Sequence, residues 1–326
     1  MIKLQIVVTE KCNLNCSYCY MNNNNTYLTR ETFMEFYESL PSNQDFSIDF
    51  FGGEPLLNFD IIKFITETVK NDTRFKELSL FSNGLLITQE MVDYISDNNI
   101  QFHWSCDGLI SDDLSLYMNK IGLIRQLCDK VSVTTSPNNL DIIGKHQLFY
   151  KDFGVTADIK FAKSGWTDES VNELKIQYES YMRFILDEFK SNRIKIPPNI
   201  IRDVSVLYEG IKKGTPKQKC VDSKYICLMP NGQQGFCAMK CTNGDFTIPE
   251  DYDHLYEECI DCEYTNFCGK GCHRLVKMNG IDTKLCEIQK FIFEQTIKFN
   301  HELNDDFVWI HCYIHKIFTD FNKGVS

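Results

Sequence analysis

The chain has 326 residues, of which 43% are hydrophobic and 24% charged. Its formal net charge is -11 and its pI is about 5.2, and without a basic patch beyond a short lysine-rich linker this argues against a nucleic-acid-binding protein. No stretch of about 18 apolar residues predicts a membrane span and no signal peptide is visible, so we expect a cytoplasmic protein without membrane contact.

Strand and helix patterns alternate from residue 1 to about 190. Short apolar runs predict strands near 2–8, 46–51, 77–82, 101–106, 130–135 and 155–161. Stretches of helical period predict helices near 29–40, 57–71, 88–98, 111–128, 139–151 and 168–190, with Thr29 as an N-cap. The alternation predicts an α/β fold with a parallel sheet, as an incomplete barrel or an open sheet. In either case the loops after the strands build the active site.

Cysteines divide the rest of the chain. Nine of the fifteen cysteines lie within residues 220–290, a segment with too little periodic apolar sequence to fold without metal. We therefore expect a core domain over 1–200, a bridging segment over 201–219, a cysteine-rich domain over 220–290 and a helical tail over 291–326. The clustered, odd-numbered cysteines favour metal ligation over disulfides.

Three cysteines follow the first predicted strand, in the stretch TEKCNLNCSYCYM. Cys12, Cys16 and Cys19 offer three thiolates from one loop. Three ligands on a four-iron cluster leave one iron open to bind a substrate or cofactor. A structural zinc site is the alternative, but it requires a fourth ligand that this loop does not supply.

This loop, with Tyr18 before its third cysteine, resembles that of the radical S-adenosylmethionine (SAM) superfamily. The resemblance implies a partial (β/α)6 TIM barrel and a SAM-binding [4Fe-4S] cluster. The sequence Gly52-Gly53-Glu54-Pro55 after the second strand matches the motif that receives the amino group of SAM, with Glu54 as the negative charge. Further SAM contacts implied by the resemblance, with local turn capping as the alternative for the first, second and fourth, are Ser82, Asn83, Ser105 and Asp107.

The later cysteines resemble the C-terminal extension called the SPASM domain. Their spacing implies two auxiliary [4Fe-4S] clusters, three clusters in all. One would be held by Cys220, Cys227, Cys237 and Cys272. The other would be held by Cys259, Cys262, Cys268 and Cys286. A pair of zinc sites is the alternative, and Cys241 is left over as a spare ligand, a substrate-facing thiol or a buried residue.

The resemblance implies reductive cleavage of SAM to a 5′-deoxyadenosyl radical, which abstracts a hydrogen atom from the substrate. We expect a radical SAM oxidoreductase that matures a ribosomal peptide or a protein side chain, for example by a thioether or carbon-carbon crosslink. Sulfatase-maturating enzymes, which form formylglycine, commonly carry an Asp where this chain has Ala238, so that activity is a less favoured alternative. A dehydrogenase acting on a small metabolite and a non-catalytic metal-organised binding or electron-carrier protein are the others.

The expected partners are a peptide or protein substrate and an external electron donor of the flavodoxin or ferredoxin kind. Because the chain starts at the first strand, leader recognition would use a separate leader-binding protein, the SPASM surface or none. Candidate catalytic bases are His103, which the strand period places on the same side as Ser105 and Asp107, and Lys160 on the sixth strand. For each of these the alternative is a structural hydrogen-bonded residue.

Overall fold

The structure is a computed structural model that describes residues 1–106, 117–191, 225–242, 244, 257–264, 268 and 282–303. Six parallel strands form its centre and lie in sequence order across the sheet. They are β1 Ile2–Thr9, β2 Phe46–Gly52, β3 Phe75–Ser82, β4 Gln101–Cys106, β5 Lys130–Thr135 and β6 Thr156–Phe161. This order and the helices between the strands confirm the predicted α/β fold with a partial (β/α)6 barrel.

Helices connect the strands. They are α1 Arg30–Glu38, α2 Phe59–Val69, α3 Gln89–Asp97, α4 Ile121–Ile124, α5 Ile142–Gln147 and α6 Asp168–Lys190. A 3-10 turn, Pro55–Asn58, precedes α2, and a π-helical turn, Leu148–Asp152, follows α5. Thr29 caps α1 as predicted, since its hydroxyl accepts a 3.2 Å hydrogen bond from the Thr32 N–H. Part of the helix predicted over 111–128 lies outside the described residues.

Each strand divides its side chains between two environments. Alternate residues such as Leu4, Ile6, Phe50 and Leu80 are fully buried against the helices and build the main core. The residues between them face the barrel interior. Trp104 closes the core at one end and donates from its indole nitrogen to the Asn83 carbonyl oxygen at 3.1 Å.

The sheet continues beyond the six strands with residues from the cysteine-rich segment. Strand β7, Tyr225–Leu228, pairs in parallel with β1, and the short β8, Gln234–Gly235, pairs with β7 in antiparallel. A strand C-terminal to the predicted bridging segment therefore extends the sheet of the core.

Three more helices follow β8. They are α7 Ala238–Cys241, α8 Glu257–Ile260 and α9 Thr283–Leu303. Helix α9 packs on α6, where Lys175 pairs with Glu287 at 2.5 Å and Tyr178 contacts the ring of Phe291. Among the described residues, the helices are all too short or too polar to cross a bilayer.

Candidate active site

The glycines of the Gly52-Gly53-Glu54-Pro55 stretch bring the end of β2 against the cysteine loop. Gly53 N–H donates to the Thr9 carbonyl at 2.9 Å, and Glu54 N–H donates to the Lys11 carbonyl at 2.8 Å. A Cβ atom at Gly53 would lie 2.4 Å from the Lys11 carbonyl oxygen, and one at Gly52 would lie 2.4 Å from that of Thr9. Because no side chain fits in this space, both positions require glycine.

The first thiol group consists of Cys12, Cys16 and Cys19. All three are reduced; the first two are half-buried and Cys19 is exposed. The Leu14 N–H donates to the Cys12 sulfur at 3.4 Å. Burial, followed by the negative charges of Glu54 and Cys19, raises the pKa of Cys12, and the Leu14 N–H opposes this. A bound cation or cluster would relieve the burial cost by compensating the thiolate charge.

The Glu54 carboxylate lies inside the protein, with an exposed fraction of 1%. One oxygen accepts from the Leu56 N–H at 3.0 Å and from the Ser82 hydroxyl at 2.7 Å, and the other accepts from the Asn83 N–H at 2.9 Å. Burial raises its pKa, while these three donors lower it. The carboxylate therefore joins the end of β2 to the end of β3, and its contact with the SAM ammonium stays a prediction.

The remaining predicted SAM contacts gather at the same strand ends. The Asn83 amide donates to Asn13 in the cysteine loop at 2.9 Å, and the Ser105 hydroxyl donates to the Ser82 carbonyl at 3.2 Å. Tyr18 lies half-buried in the cysteine loop, and Pro55 is buried at the start of the 3-10 turn. Asp107 is outside the described residues.

Both base candidates face the barrel interior. His103 is exposed on the same side of β4 as Ser105, as the strand period predicts, and its ring stacks on Phe81 at 4.4 Å. Partial burial and the positive charges of Lys160 and Lys130 lower its pKa, so its imidazole is neutral at pH 7 and can accept a proton. Lys160 forms an ion pair with Asp158 at 3.2 Å.

An aromatic ladder crosses the interior of the barrel. Phe51 on β2 stacks on Phe81 at 4.4 Å between centroids, and Phe81 stacks on His103 at the same distance. Val7, beside Phe51 on β1, continues this row. The rings form a continuous apolar surface from β1 to the base candidate on β4.

The asparagine tract at 22–25, which the sequence suggested only as a polar loop, holds the cysteine loop in place. Asn23 accepts from the Cys12 N–H at 2.8 Å and adopts a positive φ of 50°, which asparagine tolerates. Asn22 donates to the Thr242 carbonyl at 2.8 Å and so links the loop to the cysteine-rich segment. The only sequence signal was the position of these asparagines directly after the third cysteine.

The barrel-edge thiol group consists of Cys227, Cys237 and Cys241. Cys227 lies on β7 opposite Gln5 of β1, and the Gln5 side chain accepts from the Ala238 N–H at 3.2 Å. Cys227 and Cys241 are buried in an apolar cluster with Val7, against which Phe51 packs. Two predicted ligands of the same cluster, Cys220 and Cys272, are outside the described residues.

Tyr20 lies between the first and the barrel-edge thiol groups. It packs against the apolar cluster that contains Cys227 and Cys241. Burial, followed by the negative charges of Cys19, Cys227 and Cys237, raises its pKa. The two groups are therefore close enough for one tyrosine to sense both.

The helix-end thiol group brings together four predicted ligands near the start of α9. They are Cys259, Cys262, Cys268 and Cys286. Burial raises the pKa of Cys286, and the negative charges of Cys262, Cys268 and Cys259 raise it further. Cys262 and Cys268 also pack against Tyr264 and Phe293.

All three groups offer only sulfur donors, which suit iron-sulfur clusters as well as zinc. Within the described ranges, no three His, Cys, Asp or Glu side chains already converge as ligands of a single ion. The four thiols of the helix-end group supply the complete ligand number of a cluster, and the three of the first group leave one position open. The residues present therefore fit the clusters that the sequence predicts.

Comparison with known families places part of this site. Residues 6–129 match the radical SAM superfamily, and the chain therefore carries a radical SAM superfamily domain. Members of this superfamily are enzymes that use SAM and a [4Fe-4S] cluster.

Two curated relatives differ in how much of the chain they match. The radical SAM cyclopropyl synthase TigE of Paramaledivibacter caminithermalis is 33% identical over 32% of this chain, and this match spans only 26% of that protein. A GTP 3′,8-cyclase of Clostridium perfringens is 27% identical over 93% of both chains.

Two solved structures share the fold over most of the chain. The structure of anSMEcpe with bound AdoMet and the Cp18Cys peptide has a TM-score of 0.66 and 16% identity, and covers 93% of this chain and 99% of its own. Streptococcus suis SuiB bound to its precursor peptide SuiA has a TM-score of 0.57 and 14% identity, over 86% and 74% of the two chains.

Proposed function

We propose that the chain is a radical SAM enzyme that oxidatively modifies a side chain of a ribosomal peptide or protein, by a crosslink or a related maturation. The observation that carries this proposal is the aromatic ladder. It runs from His103 through Phe81 to Phe51, which packs against the barrel-edge thiol group. A proton acceptor and a redox-capable thiol group thus border the same interior surface.

The ligand sets follow from the thiol groups. Cys12, Cys16 and Cys19 would hold the SAM-binding cluster, and the barrel-edge and helix-end groups would each hold an auxiliary cluster of a SPASM-type domain. When bound, these groups supply a radical that removes a hydrogen atom from the substrate and an acceptor for the second electron of the oxidation.

The protein side chains have separate tasks in this proposal. Glu54 fixes the ends of β2 and β3 by accepting from Ser82 and Asn83, which would hold SAM together with Ser105. Neutral His103 would accept the proton that leaves with the oxidation, and Lys160 would keep it neutral by its positive charge. An external flavodoxin- or ferredoxin-like protein would supply the initiating electron, and a separate protein could bind a leader peptide.

A peptide substrate is supported by the open form of the barrel and by the two structural neighbours, both of which were solved with peptides. Six strands leave the barrel unclosed. An extended peptide can enter such an open side without complete desolvation. The likeness supports the fold, and the substrate class is our inference from it.

The test is anaerobic reconstitution with iron and sulfide, followed by incubation with SAM, a strong reductant and a short peptide encoded beside the gene. We expect 5′-deoxyadenosine and a peptide lighter by two hydrogens. The matched control is Cys16→Ala, which should give neither. An unchanged peptide mass with full 5′-deoxyadenosine release would contradict the peptide assignment.

A small-molecule substrate is the second candidate function. The GTP 3′,8-cyclase of Clostridium perfringens matches over 93% of both chains, at 27% identity. Replacing the peptide by GTP in the same assay separates the two. Consumption of GTP with the peptide left unchanged would favour the second candidate.

A further inference from the structure

We infer that Cys241 is a ligand of the first auxiliary cluster, beside Cys227 and Cys237. This inference rests on the proposed function, because it assumes that the barrel-edge thiol group binds a cluster. The family resemblance fills the four positions of that cluster with other cysteines and leaves Cys241 unused. Its position in the fold makes it a competing ligand.

The first argument is the contact between two thiols. The side chains of Cys227 and Cys241 are hydrogen-bonded to each other, and their exposed fractions are 0% and 3%. A cluster bound to the Cys227 sulfur would therefore lie beside the Cys241 sulfur. A second thiol at this distance is placed to exchange its proton for an iron.

The second argument is the spacing along the chain. The Cys241 N–H donates to the Cys237 carbonyl at 3.0 Å, which closes one helical turn between them. Residues four apart on a helix have Cβ atoms about 5–6 Å apart on the same face. A Cys-x3-Cys spacing also occurs among ligands of known iron-sulfur clusters.

The third argument is how firmly this turn is fixed. The Ala238 N–H donates to Gln5 of β1 at 3.2 Å, and Asn22 donates to the Thr242 carbonyl at 2.8 Å. Both ends of the turn are thus tied to the barrel. Cys241 is held next to β7 whichever way the later segment runs.

Five thiols then compete for four irons. We propose that Cys241 takes the position assigned by resemblance to either Cys220 or Cys272. Ligation removes the thiol proton to solvent and involves no change of oxidation state, so no further reactant is needed. The result is a cluster held largely by one compact part of the chain next to the barrel interior.

The experiment uses the full chain with Cys12, Cys16 and Cys19 replaced by alanine, which removes the SAM-binding cluster. After reconstitution this background should hold about eight irons, four in each auxiliary cluster. Iron content and the electron paramagnetic resonance (EPR) spectrum are then measured for added Cys241→Ala. Cys227→Ala is the positive control and Cys128→Ala the control for loss of an unrelated half-buried thiol.

We expect Cys241→Ala to lose one to four irons, as Cys227→Ala does, and one of Cys220→Ala and Cys272→Ala to keep all of them. Iron content and EPR spectrum equal to those of Cys128→Ala would overturn the inference. Iron loss in both Cys220→Ala and Cys272→Ala would also overturn it, because four other thiols would then fill the cluster.

Two further outcomes are informative. If Cys241→Ala fails to fold by circular dichroism, Cys241→Ser preserves the size and can ligate through oxygen; a changed EPR spectrum supports ligation, and an unchanged one refutes it. A folded background that holds no iron would refute the auxiliary clusters, and with them both this inference and the proposed function. Iron retained in the background with Cys241→Ala unaffected would refute this inference alone.

Discussion

The Ser82 hydroxyl donates a 2.7 Å hydrogen bond to the buried Glu54 carboxylate. This bond links the ends of β2 and β3, directly beneath the loop that carries the first thiol group. It shows that the most charged residue of the predicted SAM-binding motif also has a structural role.

Replacing Glu54 by glutamine tests that role. The carboxylate accepts from three donors, and an amide group would turn an N–H toward one of them. We expect Glu54→Gln to lower the free energy of unfolding by about 1–3 kcal/mol, because a buried donor loses its acceptor. Urea denaturation measures this, with Glu90→Gln on the exposed surface of α3 as control. Equal stability of the two variants would show that the carboxylate is not a required acceptor.

Alanine at Gly53 tests the fit between the strand end and the cysteine loop. Its Cβ would lie 2.4 Å from the Lys11 carbonyl oxygen, so the loop must shift. We expect Gly53→Ala to cost about 1–3 kcal/mol and to reduce iron bound by the first thiol group. Gly122→Ala is the matched control, because a Cβ there meets nothing within 4 Å. Normal iron content in Gly53→Ala would mean that the loop position does not depend on this contact.

Substituting His103 by phenylalanine separates packing from proton transfer. Phenylalanine keeps the stack on Phe81 but cannot accept a proton. We expect 5′-deoxyadenosine release to continue while formation of modified peptide falls about 10²- to 10⁴-fold, the usual contribution of a general base. Mass spectrometry of both products measures this. A loss of less than tenfold would assign His103 a structural role.

Removing the charge of Lys160 should change the pH profile of the reaction. The positive charge of Lys160 lowers the pKa of His103, so Lys160→Met should raise it. Because the base works when neutral, activity falls as pH drops through this pKa, and the acidic limb should move to higher pH in the variant. Activity of wild type and variant between pH 5 and 8, normalised to each plateau, measures the shift. Superimposed profiles would exclude this coupling.

His146 should make the fold sensitive to acid. It is 1% exposed among aromatic rings, and burial lowers its pKa from 6.5 to about 4. The unfolded chain therefore binds the proton first, and stability is lost as pH falls from about 6.5 to about 4, by about 3 kcal/mol in total. We expect His146→Phe to remove this part of the pH dependence, as measured by urea denaturation from pH 7.5 to 4. Parallel pH curves for the two proteins would contradict it.

The sequence predicted most of the barrel because alternating burial leaves a direct pattern in each strand. Strand β4, for example, was placed at 101–106 and lies there, with Phe102 and Trp104 buried between exposed neighbours. The glycines at the end of β2 were also predictable, since only glycine permits so close a backbone approach.

The contacts between distant segments were not predictable. The pairing of β7 with β1, the Gln5 contact to Ala238 and the Asn22 contact to Thr242 depend on how remote parts of the chain meet. A single amide side chain carries no periodic signal, so its partner cannot be inferred from its neighbours. The burial of Glu54 was missed for a related reason, because a charged residue in a glycine loop is expected to face a ligand.

The most direct test of the central claim is hydrogen transfer from the substrate. The reconstituted wild-type protein is incubated with SAM, a strong reductant and the candidate peptide deuterated at the carbon that is modified. We predict one deuterium in 5′-deoxyadenosine for each peptide that is modified, and none with Cys16→Ala. Modified peptide accompanied by 5′-deoxyadenosine without deuterium would contradict a radical that forms in this barrel and acts on the peptide.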